Sequence, residues 1–289
     1  MTLFFTNEPE ISYNVFVLLR DLIHEKTGNY YEDNKIQILA DKLAPRLMER
    51  SLDSFLDYYY LLKYDQEAPE EWPLVMDLLS VQETFFWREF AQIDSLVKVI
   101  LPNYLEQRKK QGEKPEDPIK IWIAASATGE EAITIAIALD QAGWFNRINI
   151  EIYASDYSQS AINKAQQGIY RERAFRNIPF SMKNKYFFPW EQGWKVIPEI
   201  YHKIKWQTAN LLNTSEISYL ATAPFIFCRN VFIYFSPQSV QKTIQFFYKT
   251  MPKTGYLFVS ASESLLKYHH NQFDLQEIAG AFVYVKHPV

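Results

Sequence analysis

The sequence contains few of the residues that build disulfides, metal centres or flexible repeats. Of its 289 residues only one is a cysteine, Cys228, so an intrachain disulfide and a multi-cysteine metal site are excluded. Five histidines are scattered without a His-x-x-x-His spacing, and we predict no metal site. Only eight glycines are present, which argues against a glycine-rich repeat or a disordered chain.

Membrane and export signals are also missing from the sequence. No apolar run is long enough to span a bilayer, and no signal peptide is recognisable. We therefore expect a cytoplasmic protein without direct membrane insertion. The formal net charge of −4 gives no case for nucleic acid as a partner. A hydrophobic share of 48% predicts a globular protein with a substantial core.

Charge is distributed unevenly along the chain. Residues 1–80 carry 15 acidic and 7 basic side chains, a net charge of −8, whereas residues 161–207 carry 9 basic and 3 acidic side chains, a net charge of +6. A local basic excess suits an acidic partner surface. A solvated surface without a partner has the same composition, so both interpretations stay open.

Apolar spacing predicts an N-terminal helical domain over residues 1–78. Ile36, Leu39, Leu43 and Leu47 recur at intervals of three and four, as on one face of a helix. Pro45 lies within this pattern and is expected to kink or divide the helix. Residues 66–75 are polar and contain prolines, and we interpret them as a joint.

Residues 79–118 are predicted to form a linker helix followed by a loop. The segment SVQETFFWREF, residues 80–90, is interpreted as amphipathic, with Thr84 and Arg88 on one helical face. Residues 105–118 are charged and contain glycine and proline, which favours a surface loop.

From residue 119 to 289, apolar strands alternate with helical segments. Strands are expected near residues 119–123, 148–154, 204–209, 224–228 and 255–260, with a hairpin at 273–286. The alternation of strands and helices is interrupted at about residues 171–206, where a small inserted β-subdomain is predicted. The fold class is α/β, with a mostly parallel, doubly wound sheet.

Polar side chains follow each predicted strand, so they should line one edge of the sheet. They are Glu130 and Glu131, Asp156, Asn210, and Arg229 with Asn230. The turn after the first strand has one glycine, Gly129, followed by two acids that would repel a phosphate. A carboxylate after the second strand can accept hydrogen bonds from two ribose hydroxyls. S-adenosylmethionine is therefore favoured over NAD, and either glutamate could face it.

Hydrolytic and thiol chemistry find little support. No G-x-S-x-G elbow is present, and Cys228 ends an apolar strand, where a buried, unreactive thiol is expected.

Four segments resemble one known family. TFFWR at residues 84–88 resembles T-x-F-F-R, and AASATGEEAIT at 124–134 resembles A-A-x-S-T-G-E-E-P-Y-S. FCRNVFIYF at 227–235 matches F-C-R-N-V-x-I-Y-F, and GYLFVSASESL at 255–265 resembles G-x-L-x-x-G-x-S-E-x-L. On these residues the chain resembles the chemotaxis receptor glutamate O-methyltransferases, the CheR family.

The resemblance implies a fold, a cofactor and a set of contacts. The fold would be an N-terminal all-α domain joined to a Rossmann-like class I methyltransferase domain that carries a small antiparallel β-subdomain. The cofactor would be S-adenosyl-L-methionine, leaving S-adenosyl-L-homocysteine as product. Cofactor contacts would fall on Gln82, Thr84, Arg88, Gly129, Glu131, Asp156, Asn210, Leu211, Arg229 and Asn230. Gln82 stands where the family often has asparagine.

The resemblance also implies the reaction and its partners. Methyl groups would pass to glutamate side chains in the cytoplasmic helical domain of methyl-accepting chemotaxis receptors, with Arg88 and Tyr234 as catalytic residues. In some family members the β-subdomain binds a peptide at the receptor's C-terminus, and the sequence leaves open whether residues 171–206 do so here. A monomer is expected. Two alternatives stay open: a methyltransferase acting on another protein carboxylate, and a cofactor-binding regulatory module.

Overall fold

The structure, a computed structural model, describes residues 10–114, 116–268 and 272–286. The chain divides into two compact units. The helical unit comprises the described residues up to Ser80 together with Tyr234–Ser239, and the sheet unit comprises the remaining described residues.

Four α-helices build the helical unit. Their bounds are α1 Tyr13–Thr27, α2 Ile36–Glu49, α3 Phe55–Tyr64 and α4 Ala68–Leu79. Each helix buries one apolar stripe, which is why a small all-α core forms. Leu43 and Leu47 of α2 are fully buried, as their spacing predicts, and Ser54 caps α3 by accepting a hydrogen bond from the Asp57 N–H.

The structure corrects two expectations about prolines in the helical unit. Pro45 does not divide α2, while a kink there stays a prediction, and residues 66–75 are not a joint because α4 begins at Ala68. Pro69 lies in the first helical turn, where no donor N–H is needed. Burial of Trp72 and Val75 outweighs the hydrogen bond that Pro73 cannot make.

The segment that opens the sheet unit has no regular structure at residues 81–85 and forms a turn at 86–89, so it is not helical before Phe90. Trp87 and Glu89 have positive φ angles of 63° and 47°, which an α-helix does not allow. Thr84 and Arg88 therefore do not share a helical face, contrary to the sequence interpretation. Helical structure begins at α5, Phe90–Ser95, continues through the π-helical segment Leu96–Ile100, and ends with α6, Leu101–Lys110. The predicted loop at 105–118 thus begins only after residue 110.

Among the described residues, seven strands form the main sheet and three form a small one. The main strands are β1 Ile119–Ala124, β2 Ile150–Asp156, β6 Ile204–Thr208, β7 Phe225–Phe227, β8 Tyr256–Phe258, β9 Phe273–Ile278 and β10 Ala281–Lys286. The small sheet has β3 Ile169–Tyr170, β4 Phe187–Trp190 and β5 Gly193–Val196. Helices between them are α7 Glu130–Gln141, α8 Gln159–Gln167, α9 Phe180–Tyr186, α10 Pro198–Tyr201, α11 Thr214–Ile217 and α12 Pro237–Thr250.

The order of the main sheet is β6-β2-β1-β7-β8-β10-β9. β1 pairs in parallel with both β2 and β7, and β10 pairs antiparallel with β8 and β9. The mostly parallel, doubly wound sheet is confirmed, as are the N-terminal all-α region and the small antiparallel sheet, ordered β3-β5-β4. The connections reverse direction between β1 and β7, which is where open α/β sheets bind ligands. The domain limits proposed at residues 78 and 118 stay a prediction.

Within the part of the chain that the structure describes, no helix is both long enough and apolar enough to cross a bilayer.

Candidate functional site

The turn after β1 is tight and strained. Ala125, Ala127 and Gly129 all have positive φ angles, of 58°, 47° and 95°. At Gly129 a Cβ atom would lie 2.7 Å from the ring of Trp206. Only glycine fits there, because the backbone conformation and the neighbouring ring both exclude a side chain. The turn thus brings the start of α7 close to the sheet edge.

Asp156, the last residue of β2, holds this turn. Its Oδ2 accepts a hydrogen bond from the Ala127 N–H at 2.9 Å, and its Oδ1 accepts one from the Ser158 N–H at 2.9 Å. The side chain is buried, with 4% of its surface exposed. One carboxylate therefore joins the turn after β1 to the N-terminus of α8.

The two glutamates that begin α7 have different environments. Glu130 is buried, accepts a hydrogen bond from the Thr128 hydroxyl at 2.7 Å, and has its pKa raised by burial. Glu131 accepts one from Arg229 Nε at 3.0 Å through Oε1, while its Oε2 accepts none from the described residues. Glu131 thus keeps an ionic partner and a free acceptor, whereas Glu130 is enclosed.

Arg229, after β7, ties the linker to the strand ends. Its side chain is 1% exposed. Besides Glu131, it donates from Nη1 to the Glu89 carbonyl at 3.1 Å and to Gln92 Oε1 at 3.3 Å, and from Nη2 to the Arg88 carbonyl at 3.1 Å. Both carbonyls belong to the strained turn at residues 87–89. Arg229 therefore stabilises a backbone conformation that would otherwise cost about 1–3 kcal/mol per strained residue.

Arg88 stands in that turn between two residues with left-handed φ angles. Its Nη1 donates to the Glu83 carbonyl at 3.0 Å, and its guanidinium lies 5.6 Å from the ring of Phe85. Among the described residues no carboxylate lies within 4.0 Å of its nitrogen atoms. A half-buried guanidinium without a protein anion is suited to bind a carboxylate from a ligand.

Gln82 and Thr84 precede this turn. Gln82 Nε2 donates to the Ser160 hydroxyl at 3.3 Å, and its Oε1 accepts from Lys164 Nζ at 2.8 Å, so the linker is fixed to α8. The hydroxyl of Thr84 has no hydrogen-bond partner among the described side chains and backbone.

The remaining sheet-unit candidates follow β6 and β7. Asn210 donates its N–H to Glu216 at 2.8 Å and accepts from the Leu212 N–H at 3.0 Å, an Asx turn. Leu211 is buried beside it. Asn230 has a φ of 60°, a conformation that asparagine tolerates better than most residues.

Tyr234 falls in the helical unit rather than the sheet unit. Its carbonyl accepts a hydrogen bond from the Tyr30 N–H at 2.9 Å, and its side chain is 39% exposed. Its predicted place beside the reacting methyl group stays a prediction.

Sequence reasoning missed several polar groups of this region. Ser126 Oγ and Trp206 Nε1 are buried without a hydrogen-bond partner in the described structure, which is unusual for native proteins. Glu263, from the fourth family-like segment, accepts backbone hydrogen bonds from the loop after β7. The motif contained the signal for Glu263, whereas nothing in the sequence marked Trp206.

A cavity of about 480 Å³ lies beside the last strands of the sheet. Its walls include Glu89, Ser260 and Phe282, and none of the ten predicted cofactor residues lines it. The candidate site is therefore the group of strand-end residues, not this cavity.

Two family models match the chain. The family model described as "CheR methyltransferase, SAM binding domain" matches residues 82–281, and "CheR methyltransferase, all-alpha domain" matches residues 14–80. The chain belongs to the CheR methyltransferase family. The resemblance drawn from the four segments is confirmed, and so is S-adenosylmethionine as the cofactor of a methyltransferase.

Curated relatives cover nearly the whole chain. Chemotaxis protein methyltransferase 2 of Vibrio cholerae is 34% identical over 262 residues, which span 90% of this chain and 88% of that protein. The chemotaxis protein methyltransferase of Borreliella burgdorferi is 28% identical, over 90% of this chain and 93% of its own length. That of Salmonella typhimurium is 30% identical, over 84% and 81%.

The residues at the strand ends fit this cofactor. Glu131 offers a free carboxylate oxygen to a cationic group, and Arg88 offers a guanidinium without a protein anion to a carboxylate. The orphaned Ser126 hydroxyl provides a buried hydrogen-bonding group in the turn. Cys228 is fully buried and burial raises the pKa of its thiol, so thiol chemistry is not favoured.

Proposed function

We propose that this protein transfers methyl groups from S-adenosylmethionine to glutamate side-chain carboxylates of methyl-accepting chemotaxis-type receptors, forming glutamate methyl esters. One observation carries the proposal. The half-buried guanidinium of Arg88 has no carboxylate partner among the described residues, although Arg229 holds the turn that presents it. Such a cation suits a reaction between groups that bear carboxylates.

Residues at the strand ends would hold the cofactor. Asp156 would accept hydrogen bonds from the ribose hydroxyls, because it ends β2 at the carboxyl edge of the sheet, beside the turn after β1. Glu131 would face the cationic portion, while Arg88 would bind a carboxylate. The further contacts proposed are Gln82, Thr84, Gly129, Asn210, Leu211, Arg229 and Asn230. Because the Arg229 guanidinium donates to four protein acceptors, we assign Arg229 chiefly the task of fixing the Arg88 turn.

The chemistry makes small demands on acid–base groups. When bound, the cofactor supplies an electrophilic methyl group on a sulfonium, to which a carboxylate oxygen bonds as the methyl–sulfur bond breaks. A glutamate with a pKa of about 4.3 is already ionised at neutral pH, so the protein needs no general base. The protein's own residues orient the reacting carboxylate and exclude water. We propose Arg88 and Tyr234 for this role.

The proposed partner is the cytoplasmic helical domain of such receptors. The curated relatives are named for chemotaxis, and the basic segment at residues 161–207 would attract an acidic helical surface. We also propose that the protein acts as a monomer in the cytoplasm and does not bind nucleic acid.

The small sheet could bind a receptor tail. β4 is one of its edge strands and leaves Trp190 41% exposed, and Lys195 Nζ lies 4.6 Å from the Trp190 ring centre. An extended peptide can add to such an edge. Removing the C-terminal residues of the receptor should then slow methylation of that receptor.

Two measurements on the full chain test the proposed function. Calorimetric titration with S-adenosylhomocysteine should show binding, and methyl transfer to receptor cytoplasmic fragments should give esters that mass spectrometry maps to glutamates. Binding without transfer to any receptor would favour a regulatory module. Transfer to another protein's carboxylates alone would favour the second alternative, and no binding would contradict the cofactor site.

A further inference from the structure

Glu263 receives an unusual set of hydrogen bonds. Its Oε2 accepts from the Asn230 N–H at 2.7 Å and from the Ser260 N–H at 3.0 Å. Its Oε1 accepts from the Phe232 N–H at 2.7 Å and from the Ile233 N–H at 3.4 Å. Three of the four donors belong to the loop that follows β7. A side chain thus supplies the acceptors that a helix or sheet would normally provide.

Glu263 itself is sequestered from any ligand. Only 5% of its surface is exposed, and its four acceptor positions are used by backbone donors. Burial raises the pKa of its carboxyl group, while the backbone hydrogen bonds oppose that rise. A buried carboxylate saturated by amides does not bind substrate or cofactor, so its effect on the site must act through the loop.

The loop that Glu263 shapes carries two strand-end residues of the site. Asn230 is held in a left-handed conformation, with its N–H directed to the carboxylate. Arg229, one residue earlier, holds the carbonyls of Arg88 and Glu89. A second link connects the same elements, since the Ser260 hydroxyl donates to Glu89 Oε1 at 2.8 Å.

We propose that Glu263 is a positioning residue for methyl transfer. Its carboxylate accepts hydrogen bonds from backbone amides of residues 230–233 and so places Asn230 and Arg229 at the cofactor edge of the sheet. The inference rests on the proposed assignment of Asn230 to the cofactor. Loss of the Glu263 carboxylate would displace Asn230 directly, and it would displace Arg88 only through Arg229.

The replacement Glu263→Gln is the sharpest test, because glutamine has the same shape. Its amide group has one acceptor oxygen, so its NH₂ must face two backbone N–H donors. S-adenosylhomocysteine affinity should fall about 10- to 100-fold, as expected when buried donors lose their acceptor. The KM for S-adenosylmethionine should rise by a similar factor, while kcat should fall by less than about threefold, since Arg88 is affected only indirectly.

Glu277→Gln provides the matched control, since Glu277 is an exposed glutamate on β9 of the same unit. Its dissociation constant for S-adenosylhomocysteine should equal that of the wild type. Wild-type affinity in Glu263→Gln would overturn the inference and leave the proposed cofactor site intact. Absence of binding by the wild type would instead overturn the cofactor site itself.

A second variant serves as a control for loss of folding. If Glu263→Gln yields no folded protein, Glu263→Asp is titrated, because aspartate keeps the charge but is too short to reach all four amides. Weakened binding by folded Glu263→Asp would support positioning. Wild-type affinity in that variant, or loss of folding in both variants, would assign Glu263 to stability alone and overturn the inference.

Discussion

In the helical unit, the buried carboxylate of Glu71 is surrounded by donors. Arg46 contacts both of its oxygens at 2.7 Å, Tyr58 donates at 2.8 Å, and Arg50 Nε lies at 3.3 Å. Although burial alone would raise the pKa of Glu71, the hydrogen bonds from Arg46 and Tyr58 bring it below its usual value. Every part of this group is satisfied by the protein.

In the described part of the sheet unit, by contrast, some buried polar atoms have no hydrogen-bond partner. Across the described residues, the side-chain atoms that are buried without a hydrogen-bond partner all lie in this unit. They are Glu89 Oε2, Ser126 Oγ, Trp206 Nε1 and Gln272 Oε1. Because an unpaired buried polar atom is costly, its persistence indicates either strain or a partner supplied by a ligand. The complete polar network around Glu71 serves stability, whereas the Ser126 hydroxyl, unpaired among the described residues, lies in the turn after β1, among the candidate cofactor residues.

The largest effect is expected from breaking the complete network. Glu71→Ala leaves the buried Tyr58 hydroxyl without its acceptor and leaves Arg46 with only the exposed Glu49 as a carboxylate partner among the described residues. The free energy of unfolding should therefore fall by about 3–5 kcal/mol. Affinity of the folded protein for S-adenosylhomocysteine should not change. Chemical denaturation and calorimetry measure the two quantities. Glu70→Ala, at an exposed position beside it, is the control, and a loss below about 1 kcal/mol would show that the network is not stabilising.

Arg88→Ala should have the opposite profile. Methyl transfer should fall about 10²- to 10³-fold, equivalent to about 2.7–4 kcal/mol, as when one charged donor is removed from a reacting centre. Stability should change little, since Arg88 has no carboxylate partner to lose. Methyl-transfer assays and thermal unfolding test this. Arg173→Ala is the control, because Arg173 is 80% exposed, and wild-type turnover in Arg88→Ala would exclude Arg88 from the reaction.

The sequence predicted most of the sheet because apolar strands and their polar ends are local patterns. In this way the sequence correctly predicted that Asp156 lies at the end of β2 and that Asn230 follows β7. The segment at residues 80–89 was misread, because its conformation is set by distant contacts: the Phe86 ring packs against Tyr170 and Phe187, about a hundred residues away at most. Local spacing contains no record of such contacts.

The prolines and Glu263 show the same limit. Pro45 and Pro73 are read as breaks by local rules, yet burial of the neighbouring apolar residues keeps α2 and α4 continuous. Three of the four donors to Glu263 are backbone amides about thirty residues earlier in the chain, and backbone amides have no sequence signature. The fourth family-like segment pointed to Glu263, but only the fold shows which backbone amides it binds.

Asp156→Asn should affect both stability and affinity, since Asp156 holds the turn after β1 and the start of α8 and is also the proposed acceptor for the ribose hydroxyls. The amide would turn an NH₂ group toward the N–H of Ala127 or Ser158. We expect S-adenosylhomocysteine affinity to fall by about 1–3 kcal/mol, with a smaller loss of stability. Asp94→Asn, which alters only a surface pair with Lys98, should change neither. Unchanged affinity would remove Asp156 from the cofactor site.

Ser126→Ala is the smallest change and the most selective test of the difference between the units. The Ser126 hydroxyl is 3% exposed and has no partner in the described structure. If a ligand supplies that partner, the variant should bind S-adenosylhomocysteine about 0.5–1.5 kcal/mol more weakly and lose no stability, because no protein hydrogen bond is broken.

Ser95→Ala is the matched control for Ser126→Ala, and it should show the reverse. Ser95 is equally buried, but its hydroxyl donates to the Ile278 carbonyl at 2.9 Å. Its loss should cost about 1 kcal/mol of stability and leave affinity unchanged. Two serines of one unit, equally hidden and differing only in whether the protein satisfies them, thus separate a stabilising hydroxyl from a ligand-binding one. Equal affinities in both variants would mean that an unpaired buried hydroxyl here reflects strain and not a ligand.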